Sequence, residues 1–417
     1  MTKARRWFRQ LGPGLITGAA DDDPSGIATY SQAGAQFGYQ LGWTVVLTYP
    51  LMVGIQMVSA RMGRVTGHGL ASNIRSHFPR PILYVIVSML VIANTINVAA
   101  DIAAMGQALR LLVGGGQHGH AVVFGIFSLA LQVFLPYQRY VRYLKWLTLG
   151  LLGYVGVVFT IGVPWLEVAK GIVWPHVAFT AQTLTVIVAV FGTTISPYLF
   201  FWQAAQEVEE IKADPAAHAL TKSPQEARRH LRRIKIDTYV GMGFSNLIAL
   251  FIIISAAATL HASGVTDIQT SAQAAEALRP IAGDSAFLLF SLGIIGTGLL
   301  AVPVLAGSAA YAVAEAFKWR RGLDLKLLQA REFYAMIAFA TLGGVALNFT
   351  PLDPIKALFW SAVINGVIAV PIMVVMMLLA DDRRVMGPFV GTRRLKMLGW
   401  LATWTMGAAV VAMLVTI

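Results

Sequence analysis

Three consecutive aspartates stand inside a stretch of sequence that is otherwise apolar. They open residues 21–26, Asp-Asp-Asp-Pro-Ser-Gly, and are flanked by the apolar segments 11–20 and 27–45. Neither flank reaches the roughly 20 apolar residues of a membrane-spanning helix, so the two together predict one broken span. Unwound backbone at membrane depth is tolerated only where it is buried in protein or lines a cavity, and carboxylates there mark ion or substrate pathways. The segment therefore predicts a transport site.

A second interrupted span is predicted at residues 178–206. Gly192-Thr-Thr-Ile-Ser-Pro-Tyr198 lies near its centre, where Pro197 removes a backbone donor and crowds the preceding turn. This is the sixth apolar run of the chain, whereas the aspartates lie in the first. An odd number of spans separates the two starting points, so the segments run in opposite directions. Paired, interrupted segments in two inverted halves predict a substrate site between them at the midplane.

The composition is that of a membrane protein. Hydrophobic residues make up 57% of the chain and charged residues 12%, whereas a soluble domain has about 25% charged residues. The predicted fold class is therefore an all-α polytopic membrane protein with about eleven spans. These spans, numbered 1 to 11 from here on, cover residues 12–40, 41–60, 82–112, 119–136, 145–165, 178–206, 235–260, 284–316, 333–350, 355–379 and 396–416.

The spans predict a single transmembrane transporter domain over residues 1–417. Two inverted repeats cover about 11–166 and 177–380, and span 11 lies outside them as an extra helix. Hardly any chain is left for a soluble domain, such as the output domain that a sensor built on a transporter fold would need. No nucleophile–base constellation or metal-binding histidine pair is found in the sequence, so we do not expect an enzyme.

The basic residues predict the orientation. Of the 32 Lys and Arg, 28 fall before span 1 or in alternate loops, and the other four lie on or toward the opposite side. By the positive-inside rule, the N-terminus is cytoplasmic and the C-terminus extracytoplasmic, in a bacterial inner (plasma) membrane. The net charge of +12 then reflects topology and contact with the lipid bilayer, and no nucleic-acid partner is expected. We expect a monomer.

The two broken spans resemble those of the Nramp family of divalent-metal transporters. Gly12-Pro-Gly-Leu-Ile-Thr-Gly followed by Asp23-Pro24 is similar to the start of the family's first helix, which bears Asp-Pro-Gly-Asn. The sixth helix of the family bears Met-Pro-His. The resemblance covers nearly the whole chain and implies a LeuT-like fold, with two inverted five-helix repeats, broken helices 1 and 6, and an eleventh helix.

The motif of the first helix matches in part. By the resemblance, Asp23 and Pro24 keep the metal-binding Asp and the Pro of the family. Ser25 and Gly26 stand where the family has Gly and its ligating Asn. The chain is thus a divergent relative.

The motif of the sixth helix departs further. Ser196 replaces the soft Met ligand, Pro197 is kept, and Tyr198 replaces His. In the third helix, Asp101 matches an acidic residue of the family's proton route, but Ala104 stands where a second acid is expected. That route therefore looks incomplete in this sequence.

The candidate metal ligands at the two breaks are all oxygen atoms, which are hard ligands. Asp23 and Ser196 are the expected metal ligands, joined by Asp22, Thr193 and backbone carbonyls freed near Ala20 and Thr193. Carboxylate, hydroxyl and carbonyl oxygens suit Mg²⁺ and Mn²⁺, whereas a thioether would select softer metals. The small side chains at the two breaks leave room for a partly hydrated ion such as Mg²⁺. We expect an importer of such an ion, with no resident cofactor and with Na⁺ or H⁺ as coupling ion.

The same features admit a different substrate. In broken-helix transporters the N-termini of half-helices hold anions, while unwound carbonyls and a carboxylate hold Na⁺. Ser25 and Gly26 open the outer half of span 1, and Tyr198 opens the second half of span 6. A Na⁺-coupled symporter of a small anion such as bicarbonate is therefore the alternative.

Further polar residues are predicted inside the bundle. In span 3, Asn94, Asn97 and Asp101 have the i, i+3, i+7 spacing of one helix face. Polar side chains at membrane depth turn inward and find partners, so these residues either bond neighbouring helices or line an ion pathway. The same two roles are open for residues in spans 7 and 10, namely Asp237, Asn246 and Asn365.

Acidic residues at the predicted end of span 6 suggest a gate. Glu207, Glu209 and Glu210 precede a loop, 207–234, whose end at 228–235 is the most basic part of the chain. Carboxylates are unfavourable at a helix C-terminus, so either a role in an inner vestibule or pairing with these basic residues would explain them.

The charge pattern predicts the side on which the chain ends. A reporter that is active only in the cytoplasm, fused after Ile417, should be silent, while the same reporter inserted between spans 10 and 11 should be active. Strong activity of the C-terminal fusion would mean that a span has been miscounted.

Overall fold

The structure of the protein is a computed structural model that describes residues 17–18, 20–135, 147–175, 178–214, 217–350 and 353–416. The Gly12-Pro-Gly motif and the basic N-terminal residues lie outside this part of the chain. Regular secondary structure in the described residues is entirely helical. Nearly continuous apolar runs explain this, because in lipid a helix satisfies every backbone polar group within one segment.

Each of the eleven predicted spans contains a helix. In order, they are Pro24–Phe37 in span 1, Gly42–Thr66 in span 2, Arg80–Val113 in span 3, Gln117–Phe134 in span 4, Leu152–Thr160 in span 5, Ala181–Thr194 and Pro197–Ala213 in span 6, Ala227–Ala256 in span 7, Ala286–Phe317 in span 8, Arg331–Leu347 in span 9, Pro354–Asp381 in span 10 and Arg393–Thr416 in span 11. Short helices connect them at Leu70–His77, Trp165–Val173, Ser271–Glu276, Arg279–Ala282 and Arg383–Met386.

Length and composition give a smaller count of spanning helices. Within the described ranges, eight helices are long and apolar enough to cross a membrane, or nine if Leu149–Thr160 and Trp165–Val173, bent by 114°, form one span. The remaining difference from eleven has two sources. Spans 1 and 2 run together as Pro24–Thr66 through the short turn Gly38–Leu41, and span 9 has only 17 residues.

The segment 207–234 corrects the sequence prediction. It was expected to be a loop, but the helix of span 6 continues to Ala213 and that of span 7 already begins at Ala227. Apolar runs show only the part of a helix that faces lipid or core, and Arg, Lys and Glu are good helix formers beyond it. The basic residues 228–235 therefore lie on a helix, where they have fixed positions.

Proline at the first helical position starts both half-helices at the breaks. Asp23 has an extended backbone and caps the helix that begins at Pro24. Ser196 is likewise extended and precedes the helix that begins at Pro197. Proline fits there because its missing N–H would have no partner in the first turn. The same pattern recurs at the start of span 10, where Asp353 caps a helix beginning at Pro354.

Glycines bring the broken spans against their neighbours. A methyl group on Gly192 of span 6 would overlap the Ala362 carbonyl and lie 2.8 Å from the Cα of Gly366 in span 10. On span 1, Gly18 packs in the same way on the backbone of Gly241 in span 7. Small residues that allow backbones to approach are the usual basis of helix packing in membranes. Both breaks are thereby held at the centre of the bundle.

Candidate ion-binding site

The Asp23 carboxylate is the centre of a buried hydrogen-bond network. Its Oδ1 accepts from the Ser25 hydroxyl at 2.6 Å and from the Gly26 N–H at 2.8 Å. Its Oδ2 accepts from Nδ2 of Asn97 in span 3 at 3.1 Å, and the Asn97 amide oxygen accepts from the Ser361 hydroxyl of span 10 at 2.9 Å. Asp23 thus joins the start of a half-helix to two other spans.

The two helix breaks face each other. The Tyr198 hydroxyl, at the start of the second half of span 6, donates to the Ala20 carbonyl at 3.1 Å. From the other side, a Cβ on Gly26 would lie 3.1 Å from Oγ1 of Thr193. The structure therefore brings five of the predicted site residues to the place where the two breaks meet. They are Ala20, Asp23, Gly26, Thr193 and Tyr198.

Ser196 uses its hydroxyl within its own break. Its Oγ lies 2.9 Å from the Gly192 carbonyl oxygen and 2.8 Å from that of Thr193. These carbonyls belong to the last turn of the first half-helix, where backbone acceptors lack intrahelical partners. A serine oxygen that donates its hydrogen in this way keeps lone pairs free for a cation.

Asp22 has a different environment from Asp23. Its Oδ1 lies 3.0 Å from the hydroxyl oxygen of Ser245 in span 7, and Oδ2 of Asp21 lies 2.7 Å from the same oxygen. Asp22 is predicted as a third ligand beside Asp23, whereas the hydrogen bond that the described residues give its side chain is with Ser245. The three carboxylates thus fall into a pair, Asp21 and Asp22, and a separate Asp23.

The other predicted residues are dispersed. Asn94 bonds span 8, with Nδ2 at 2.8 Å from the Leu305 carbonyl and 2.7 Å from the Ser308 hydroxyl, so it does not share a partner with Asn97. Asn246 donates to the Val45 carbonyl of span 2 at 2.9 Å. Both fit the predicted interhelical role.

Three predicted residues remain. Asp101 and Asn365 are buried, and neither side chain has a hydrogen-bond partner among the described residues. Of these, Asp101 lies within electrostatic range of Asp23. Asp237 interacts electrostatically with Glu207 and Arg233 instead, away from the breaks.

Among the described residues, no basic side chain forms an ion pair with the carboxylates at the break. The ion pairs in the described part of the chain all involve other acidic residues. Across the same residues, no group of three or more His, Asp or Glu side chains is arranged to hold a metal. A cation at the break would therefore be held by few carboxylates and by neutral oxygens.

Ion pairs close one end of the bundle, which we name the inner end because the charge pattern predicts it to be cytoplasmic. Arg233 of span 7 pairs with Glu207 and Glu210 of span 6, and Glu207 is fully buried. Beside them, Arg64 of span 2 contacts His230 of span 7 at 2.8 Å. The sequence prediction of salt bridges here is confirmed, although Glu209 pairs with Lys212 of its own helix.

Cavities lie beyond the site at both ends. At the inner end, a cavity of about 270 Å³ is bordered by Arg64, Glu210 and His230. At the opposite end of span 7, a cavity of about 620 Å³ is bordered by Glu167 and His261. The Asp23 side chain is 1% exposed. The Asp23 carboxylate is therefore shielded from solvent in this conformation, and it borders neither cavity.

Comparison with known proteins establishes the family. A sequence model described as "Natural resistance-associated macrophage protein-like" (Nramp) matches residues 14–416. The chain belongs to the Nramp family. A crystal structure of the Eremococcus coleocola manganese transporter is similar in fold, with a TM-score of 0.75 at 18% identity, covering 100% of this chain and 88% of that one. The sequence prediction of the family is confirmed.

A second group of structures confirms the fold class. Mhp1, a nucleobase-cation-symport-1 family transporter, matches in its closed conformation with a TM-score of 0.57 at 14% identity, covering 98% of this chain and 92% of that one. Its inward-facing conformation gives 0.50 at 14% identity, over 97% and 90%. This Nramp protein therefore has the LeuT-like transporter fold. The repeat boundaries near 11–166 and 177–380 stay predictions.

Sequence reasoning missed Ser245 and Ser361, which contact the aspartates directly or through Asn97. Ser361 is the single serine of its helix, whereas Ser245 lies on a helix that also carries Asn246 and Ser255, and serine is common in membrane helices as a packing residue. Their distance in sequence from the breaks gave no sign of the contact. The available signals were the adjacency of Ser245 to Asn246 in span 7 and the spacing of Ser361 and Asn365, one helical turn apart in span 10.

The ion pairs at the inner end should control access to the breaks. The chain contains no cysteine, so the substitution Gln203→Cys places a single cysteine at a fully buried position, where it can serve as a reporter. In inside-out vesicles, Arg233→Ala combined with Glu207→Gln should raise labelling of this Cys by an impermeant maleimide severalfold, because the bond between spans 6 and 7 is lost. The double change avoids leaving the buried Glu207 carboxylate without its partner. Arg384→Ala, which breaks the exposed pair with Asp382, is the control; labelling that rises equally in both would contradict the gate.

Proposed function

We propose that this protein is a secondary transporter that imports a divalent metal cation, with a hard ion such as Mg²⁺ or Mn²⁺ favoured. The observation that supports it best is the buried Asp23 at a helix break that meets the break of span 6, with no basic residue of the described ranges paired to it. Membership of the Nramp family supports metal as the substrate class. The printed name of the Eremococcus coleocola relative, a manganese transporter, agrees with this.

Asp23 supplies the charge of the proposed site and Ser196 a hydroxyl oxygen. The Ala20 and Thr193 carbonyls, each now bonded to a hydroxyl, provide further oxygens on the two sides of the break. The Asn97 amide, whose Nδ2 bonds Asp23, holds the carboxylate in place. All these donors are oxygens, and oxygen ligands favour Mg²⁺ and Mn²⁺ over softer metals.

The anion alternative is disfavoured by the helix start itself. An anion at the N-terminus of a half-helix needs free N–H groups. In span 1 the Gly26 N–H already donates to Asp23, so that terminus carries its own negative charge. A second anion there would meet repulsion at low dielectric. Bicarbonate is therefore an outcome to be tested and not a second proposal.

Transport would proceed by alternating access. In this conformation a cavity lies beyond each end of the site, and the ion pairs of Arg233 bar the inner one. Opening of the inner end releases the ion into the cytoplasm if the predicted orientation in a bacterial inner membrane holds. The protein would then act as a monomer, with the ion and the bilayer as its partners.

Asp23→Ala should abolish uptake while the protein stays folded. The matched control is Asp353→Ala, because Asp353 also precedes a proline and caps a helix, accepting from the Ile355 N–H at 2.9 Å. Loss of either cap costs about 1 kcal/mol of stability, but only Asp23 lies at the proposed site. The measurement is uptake of Mg²⁺, Mn²⁺ and bicarbonate into proteoliposomes, with and without Na⁺ or H⁺ gradients.

Three results of this assay would contradict the proposal. The first is near-normal metal uptake by Asp23→Ala. The second is equal loss in both variants, which would assign the effect to capping. The third is Na⁺-dependent bicarbonate uptake by the wild type without any transport of divalent metal.

Ser196→Met together with Gly26→Asn should shift selectivity toward softer ions. The thioether and amide favour Mn²⁺ and Cd²⁺ over Mg²⁺, and a change of about tenfold in the preference is expected, which equals about 1.4 kcal/mol. A Cβ at position 26 would lie 3.1 Å from Thr193 Oγ1, so this neighbour must shift slightly. Ser196→Met alone tests the same idea without that crowding. Unchanged competition between Cd²⁺ and Mg²⁺ in both variants would exclude Ser196 from the site.

A further inference from the structure

The helix of span 7 begins with a cluster of basic residues at the inner end of the bundle. It runs from Ala227 to Ala256, and its first turns carry the basic segment 228–235. Arg228, Arg232 and Lys235 have the i, i+4, i+7 spacing of one helix face, and all three are exposed. We name these three side chains the basic face.

Within the described ranges, the basic face has no carboxylate partner. The ion pairs found there include none of its three side chains, whereas Arg233 of the same turns pairs with Glu207 and Glu210. The helix itself supplies no acidic partner either, because its one aspartate, Asp237, is buried. Like charges one helical turn apart repel each other. An anion bound to the basic face would remove this repulsion.

The apolar side chains that follow along the helix place the basic face at the edge of the membrane. Ile236, Tyr239 and Leu247 are 37%, 38% and 50% exposed, which in a membrane span means that they face lipid. A rise of about 1.5 Å per residue separates Arg228 from Lys235 by about 10 Å along the helix axis. The headgroup layer on each side of the hydrocarbon core is about 5–8 Å deep. The three charges therefore extend through this layer.

Tyr239 lies between the basic face and the lipid-facing part of the helix. The Lys235 Nζ is 5.9 Å from the centroid of its ring, within the range of a cation–π contact. The Tyr49 hydroxyl of span 2 donates to the Tyr239 carbonyl at 3.2 Å, and the two rings meet edge to face. Tyrosine is enriched where lipid meets water, because its ring is apolar and its hydroxyl polar. Tyr239 thus marks the border between headgroups and acyl chains.

Contacts on the other side of the same turns hold the basic face in place. Arg233 pairs with span 6, and His230 contacts Arg64 of span 2 at 2.8 Å. The three charges are therefore presented by a helix that is anchored to two neighbouring spans. A ligand that binds to such a surface has little ordering to impose, which favours binding.

We propose that the basic face binds the phosphate group of an anionic phospholipid in the leaflet at the inner end, with the acyl chains along the exposed apolar side chains of span 7. Arginine offers a phosphate several N–H donors in a planar fork, and Lys235 adds a third positive charge. A zwitterionic headgroup carries its own cationic group, which the basic face repels. The site uses neither helix break, so it does not depend on which ion the protein carries.

Native mass spectrometry of the purified full-length protein in a non-ionic detergent tests this site. The wild type should bind phosphatidylglycerol at least tenfold more tightly than phosphatidylcholine with the same acyl chains. Arg228→Gln, Arg232→Gln and Lys235→Gln together should abolish this preference, because each basic residue near an anionic lipid surface contributes about fivefold. Arg232→Gln alone should lower it about fivefold, and Arg232→Lys, which keeps the charge, should retain most of it.

The matched control removes three exposed basic residues elsewhere at the inner end. Arg331→Gln, Arg393→Gln and Arg394→Gln together change the net charge equally, and these residues too have no ion pair in the described part of the chain. This variant should keep the preference. Size-exclusion profiles show whether each variant is folded, and the single substitutions at position 232 decide the question if a triple variant is not.

Free glycerol phosphate separates a lipid site from a site for phosphate alone. It should not displace phosphatidylglycerol from the wild type, because it lacks the acyl chains. Four results would overturn the proposal: equal binding of the two lipids to the wild type, a preference that survives loss of the basic face, equal loss in both triple variants, or displacement of the lipid by glycerol phosphate. None of these results bears on metal transport, so the proposed function stands or falls separately.

Discussion

Burial of carboxylates at membrane depth without basic partners is the constraint on which the structure depends. An ionised carboxylate away from water is strongly unfavourable unless it is hydrogen-bonded and its charge is compensated. The chain meets the first requirement with polar groups from several spans. Ser25, Gly26 and Asn97 serve Asp23, and Ser245 serves the pair before it. Under the proposed function, the bound cation meets the second requirement.

The helix breaks follow from the same constraint. A continuous helix would place these side chains on different faces and leave no free backbone groups for an ion. Interrupting span 1 at Asp23 and span 6 at Ser196 exposes carbonyls on one side of each break and a helix start on the other. The Tyr198 bond to the Ala20 carbonyl then joins the second half of one broken span to the first half of the other. Movement of either half must alter the ligand set of both.

The fold could be predicted largely from the sequence, because apolar length and proline positions act locally. Each predicted span contains a helix, and Pro24 and Pro197 fix the positions of both breaks. The ends of helices were harder to predict, as residues 207–234 show, because polar helix extensions do not differ in hydropathy from loops. Asp23 could be chosen among three neighbouring aspartates only from the family resemblance. Asp23 differs physically from the other two aspartates because its side chain caps the half-helix that begins at Pro24.

Contacts between distant spans could not be predicted. Ser245 and Ser361 are ordinary serines until the fold brings them to the break. Asn94 and Asn97 share a helix face by spacing, yet one bonds span 8 and the other Asp23, because a helix between several neighbours presents one face to more than one of them. Sequence periodicity predicts which face of a helix a side chain lies on, but it does not predict which neighbouring helix that face contacts.

The most direct measurement of the central claim is the position of the ion itself. Crystals of the protein grown with Mn²⁺, and with data collected at its absorption edge, should give one anomalous peak between the two helix breaks, within coordination distance of an Asp23 oxygen. The peak should vanish in Asp23→Ala and persist in Asp353→Ala. A wild-type crystal at saturating Mn²⁺ with no peak between the breaks, or with a peak only at residues away from Asp23, would contradict the proposal that this carboxylate binds the transported metal.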